Sequence, residues 1–60
     1  MKVGSKIRIT FHDHPEEMNG EAVVTAVLPE NVVRAKMNDS GHPFSTLELT
    51  VAPTNYEEVG

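Results

Sequence analysis

Sixty residues make one domain, and a chain this short buries only about 60% of its unfolded surface, so burial alone leaves it marginal. With no cysteine, disulfides and thiolate metal sites are excluded, and oligomerisation or a tightly packed small barrel remains as the source of stability. Five basic against nine acidic side chains, net −4, argue against a broad cationic footprint for phosphate; no apolar run reaches the ~18 residues of a membrane span, nor is there a signal-peptide core, which predicts a soluble, cytoplasmic protein.

Residues 6–11, Lys-Ile-Arg-Ile-Thr-Phe, alternate strictly. Ile7, Ile9 and Phe11 fall on one face and Lys6, Arg8 and Thr10 on the other, the pattern of a half-buried strand. Residues 12–20 have no such pattern. Pro15 followed by Glu16 and Glu17 fits the first turn of a short helix, where proline lacks no needed N–H and carboxylates suit the positive dipole end.

Two valine-rich runs, 21–28 and 32–38, flank Pro29-Glu30-Asn31 and predict the central hairpin. In the first arm Ala22, Val24, Ala26 and Leu28 face the core, leaving Val23, Thr25 and Val27 outside. In the second, Val33, Ala35 and Met37 face in, and Val32, Arg34, Lys36 and Asn38 face out. A competing reading makes 31–37 a helix capped by Asn31, against which the paired valines count.

Asn38-Asp39-Ser40-Gly41 is a turn cluster. His42-Pro43-Phe44 reads as a brief strand. Ser45-Thr46-Leu47-Glu48 has capping-box spacing and predicts one 3₁₀ turn ahead of a last strand at 48–52, closed by Pro53. Residues 54–60 read as a flexible polar tail, so that the domain proper is 1–53.

This order resembles an all-β, five-stranded SH3-like barrel with one long loop, the KOW and Tudor-type modules being nearest in kind. The resemblance rests on Gly4-Ser5-Lys6-Ile7-Arg8-Ile9, on Gly20 through Met37, and on Phe44-Ser45-Thr46-Leu47-Glu48-Leu49. It covers about residues 3–52 and is one of pattern, without a diagnostic motif. A Tudor-type reader implies an aromatic cage, for which only Phe11, Phe44 and Tyr56 are present. A KOW module implies basic loops, whereas the long loop here carries Asp13, Glu16 and Glu17. The plasmid-borne type II dihydrofolate reductase, a tetramer of small barrels, is also similar. Its Val-Gln-Ile-Tyr strand does not occur at Gly41-His42-Pro43-Phe44, and no catalytic residue carries over.

Three sets of residues invite a functional reading. Val23, Val27 and Val32 on the outer hairpin face would form an apolar contact surface if they cluster; otherwise the faces are misassigned. Arg34 and Lys36, with Arg8, offer a short cationic strip to nucleic acid or merely keep the strands soluble. His12 and His14 share a face if extended and can clamp one divalent ion, with Asp13, Glu16 or His42 to complete the site; the plainer reading is a pair of loop histidines. Asp13, Glu16 and Glu17 either serve as paired carboxylates or solvate the loop. The expectation is a non-enzymatic adaptor without cofactor. It would bind another protein, a basic one or a second copy, through the hairpin valines, Arg34, Lys36 and the acidic loop. A small phage- or plasmid-borne accessory protein directed at a host protein fits this profile.

Overall fold

A computed structural model describes residues 1–12 and 19–59. The chain is all-β: β1 (Lys6–Ile9), β2 (Gly20–Val27), β3 (Val33–Met37), β4 (Glu48–Val51) and β5 (Tyr56–Glu58), with 3₁₀ turns at Pro29–Asn31 and Pro53–Asn55. All pairings are antiparallel, in the order β4-β3-β2-β1-β5. The two edges, β4 and β5, do not pair with each other, so the sheet is open. No helix among the described residues is long and apolar enough to cross a membrane.

In β1 the alternation holds: Ile7 and Ile9 are buried, Lys6 and Arg8 exposed. The ladder to β2 ends at Ile9 rather than Phe11. Beyond it the Thr10 amide turns to Asn55 O and the Phe11 amide to Asn19 Oδ1. The helix expected around Pro15 lies outside the described residues.

The central hairpin forms, and the competing helix over 31–37 does not, because Val33–Met37 pairs with β2 on one side and β4 on the other. Its reversal is tight. Leu28 N–H donates to Val32 O and Val32 N–H to Pro29 O, with Glu30 and Asn31 both at positive φ, 63° and 64°. Two successive left-handed residues are what a two-residue hairpin turn needs to match the twist of its strands.

Alternation fails in one place. The β2–β3 register runs Ala22↔Met37, Val23↔Lys36, Val24↔Ala35 and then slips to Ala26↔Arg34 and Val27↔Val33. Thr25 is the extra residue of a β-bulge, and a bulge shifts every later residue to the opposite face. Ala26 therefore pairs with outward Arg34, and Val27 shares the face of buried Val33. The sequence reading of Ala26 as inward and Val27 as outward is thus reversed.

Residues 38–47 hold neither the strand expected at His42–Phe44 nor the capping box at Ser45–Glu48. They form successive turns: His42 N–H to Asp39 O, Ser45 N–H to His42 O and Leu47 N–H to Phe44 O. Ser45 Oγ donates to Ser40 O, and Glu48 turns across the sheet to Thr25 instead of back to Ser45. The 3₁₀ turn falls later, at Pro53–Asn55. Beyond that turn the chain is a strand and not a tail: Tyr56, Glu57 and Glu58 pair with Ile9, Arg8 and Ile7.

Ile7, Ile9, Ala22, Val24, Val33, Ala35, Met37 and Val51 form one core, with Phe11, Leu49 and Tyr56 packed against it. These eight come from one face of one sheet, and no polar side chain among the described residues is buried with them. A flat sheet leaves such a face wet, so this one must curl over its own inner side. The Tyr56 hydroxyl, donating to Asn31 O from β5 to the hairpin turn, spans that curl.

Candidate functional site

The strand register orders the outer face into rows, since residues directly opposite in an antiparallel pair share a face. One row is Glu57–Arg8–Glu21. The next is Lys6–Val23–Lys36–Glu48. A third pairs Arg34 with Thr50.

In these rows the cations of the expected strip meet carboxylates. Arg8 Nη2 lies 3.7 Å from Glu21 Oε1 and Arg34 Nη1 3.8 Å from Glu48 Oε1. Lys36 stands directly across from Glu48. Glu48 also accepts a 2.7 Å hydrogen bond from Thr25 Oγ1, so one carboxylate links three strands at the bulge. Arg8 and Arg34 are thus each paired with a carboxylate, while Lys6 and Lys36 flank Val23 in the second row.

The three hairpin valines do not form one outer cluster. Val23 sits between Lys6 and Lys36 and is half-buried, where lysine stems can cover it. Val27, moved by the bulge to the rim of the inner face, is 46% exposed. Val32 and Leu28 lie beside it, both half-buried and joined by a backbone hydrogen bond. Gly4 N–H donates to Val24 O in the middle of β2, and Val3 beside it is 63% exposed. The hairpin end thus carries three apolar residues in succession around the turn, Val27 at the rim of the inner face and the half-buried Leu28 and Val32, while exposed Val3 precedes β1. Val3 and Leu28 escape the sequence reading because one precedes the first strand and the other falls in the inward-facing set. The signal for Val3 is Gly4, whose φ of 93° marks a turn.

Of the loop residues expected to contact a partner or a metal, Asp13, His14, Glu16 and Glu17 lie outside the described residues, and His12 is exposed. Both ring nitrogens of His42 are engaged by protein atoms: Nε2 lies 3.1 Å from Asn19 O, and Nδ1 lies 3.1 Å from the Phe44 amide. Neither remains for a metal. Among the described residues no three His, Asp or Glu side chains are grouped to hold one.

Two shallow hollows accompany these surfaces. One of about 370 Å³ is lined by Asn19, Gly20, Glu21, Asn38, Asp39 and His42. The other, about 260 Å³, lies between β1 and β5 beside Arg8, Thr10 and Glu57. Comparison with family models, with curated proteins and with solved structures returns no match.

Proposed function

We propose that this chain is a non-enzymatic, SH3-like protein-interaction module that docks on another protein through the apolar end of its central hairpin. The exposure of Val27 next to the half-buried Leu28 and Val32 carries this reading. Apolar side chains gathered at one end of so small a surface favour a partner, whereas scattered ones need no explanation. The SH3-like arrangement is supported by the strand order, in which the last strand returns to the first after a 3₁₀ turn, and by the curl that brings Tyr56 to Asn31.

Arg34 lies on β3 near the patch, paired with Glu48, and Lys36 lies further along the strand; the net charge of −4 steers a basic partner to the chain more than it adds affinity. A second copy of the chain, itself acidic, is the other candidate partner, and it would offset the marginal burial of a 60-residue chain. The paired state of Arg8 and Arg34 counts against nucleic acid.

Sedimentation velocity over a wide concentration range, with wild type beside Val27→Lys, tests the reading. Reversible association that the substitution abolishes supports it. A wild type that stays monomeric restricts the partner to a different protein, and association that Val27→Lys leaves intact removes the hairpin end as the contact.

A further inference from the structure

We propose that His42 is a proton-sensitive latch holding the β3–β4 connection (residues 38–47) to the foot of the β1–β2 connection. The geometry fixes its protonation state. The Phe44 amide has a proton to give, so Nδ1, 3.1 Å away, must carry a lone pair. Asn19 O can only accept, so Nε2, also 3.1 Å away, must carry the proton. Both bonds are satisfied together only by the neutral Nε2–H tautomer.

The latch reaches further through Asn19, whose Oδ1 accepts a 2.8 Å hydrogen bond from the Phe11 amide. Phe11, Asn19, His42 and Phe44 thus form one chain of hydrogen bonds across two connections. The imidazole of His42 packs over Gly20, close enough that a Cβ there would lie 3.7 Å from Cδ2. The Phe44 ring is tilted against it at a centroid distance of 5.9 Å.

Adding a proton at Nδ1 consumes the lone pair that the Phe44 amide uses, and two N–H groups then face each other. The bond to Asn19 can persist only if the ring stays put, which strands the Phe44 amide. Among the described residues, the charged residues that line the same hollow as this imidazole are Glu21 at the start of β2, whose carboxylate pairs with Arg8, and Asp39 in the β3–β4 connection, whose Oδ1 accepts from the Gly41 amide. Both carry negative charge, which favours an imidazolium on the side of the hollow. Acidification therefore draws the ring away from Phe44 toward the hollow, and residues 42–45 lose their anchor while the β2–β3 ladder remains.

The test is a nuclear magnetic resonance titration of the full chain through the range in which histidines change charge. At high pH the His42 ring nitrogens should report a bare Nδ1 and a protonated Nε2. On acidification the Phe44 amide should shift with the midpoint of the His42 ring and not that of His12. Its protection against solvent exchange, taken relative to the intrinsic rate at each pH, should fall about five- to tenfold, the equivalent of one net hydrogen bond. In His42→Gln the Phe44 amide should no longer respond to pH. The opposite tautomer, a Phe44 amide unmoved while His42 protonates, or a midpoint that follows His12 would each overturn the latch. The wild-type titration decides the matter even if the variant does not fold.

Discussion

The hydroxyl of Tyr56 donates to the backbone carbonyl of Asn31, 25 residues earlier in the chain. In a flat sheet, β5 lies three strand spacings from β3, roughly 14 Å at the usual interstrand distance. Tyr56 also stands level with Ile9 and Gly20, at the far end of β2 from the hairpin turn. A bulge bends its strand and increases its twist, and the Thr25 bulge lies in β2 between the level of Tyr56 and the hairpin turn. Core burial and the position of Val27 follow from the same bend.

Removing this bond tests how much the curl depends on it. Asn31 is exposed, so its carbonyl can be rehydrated, and Tyr56→Phe should cost only about 0.5–1.5 kcal/mol. Urea unfolding should show a lower midpoint with an unchanged slope. A lower slope would mean that the native sheet has opened.

The hairpin turn offers a stabilising change. Glu30 sits at φ 63° and ψ 29°, a left-handed conformation that costs an ordinary L-residue roughly 1–2 kcal/mol and that Asn adopts far more readily. Glu30→Asn should raise stability by about 0.5–1 kcal/mol in thermal or urea unfolding. No gain would mean that the turn is not left-handed at this position.

Gly20 predicts the reverse. Its φ of 151° is one that side chains rarely adopt, and a Cβ would meet the His42 ring and Met37 Sδ at 3.7–3.8 Å. Those contacts are ordinary, so the cost is backbone strain, on the order of 1–3 kcal/mol. Gly20→Ala should lower the unfolding midpoint by that equivalent. A neutral result would show that the strand start relaxes.

The ion pairs of the outer face should contribute little. Arg8–Glu21 and Arg34–Glu48 are about half exposed, and such pairs give about 0.2–1 kcal/mol. A double-mutant cycle on Arg34 and Glu48 should return a coupling within that range. The same pairing predicts no salt-dependent binding of labelled RNA or DNA at low ionic strength, read by fluorescence anisotropy. Binding that weakens steeply with salt would reinstate the strip of Arg8, Arg34 and Lys36.

Much of the sheet is legible because alternation is a direct imprint of a half-buried strand. Lys6–Ile9 and Val33–Met37 carry it without interruption, and the hairpin is marked by Pro29-Glu30-Asn31. The bulge is not legible. Val24-Thr25-Ala26-Val27 contains no glycine to flag it, and all four residues suit either face. That single extra residue moves Val27 from the outer face to the rim and takes it out of any cluster with Val23.

β5 is invisible in the sequence for a different reason. Tyr56-Glu57-Glu58 is an edge strand whose pairing is supplied by β1, and its exposed glutamates, which guard the edge, read as a tail. The turns at 42–47 escape because what organises them is a side chain, His42, bonded to its own connection and to Asn19. No local spacing reports such a contact.

Docking of a partner on the apolar end of the hairpin is tested most directly by affinity capture from the source cell. Immobilised wild type is compared with Val27→Lys, both shown to be folded by circular dichroism, and the captured proteins are quantified by mass spectrometry. At least one protein, or untagged copies of this chain, should be enriched on wild type and lost on Val27→Lys. Identical capture profiles on the two baits would contradict docking at the hairpin end.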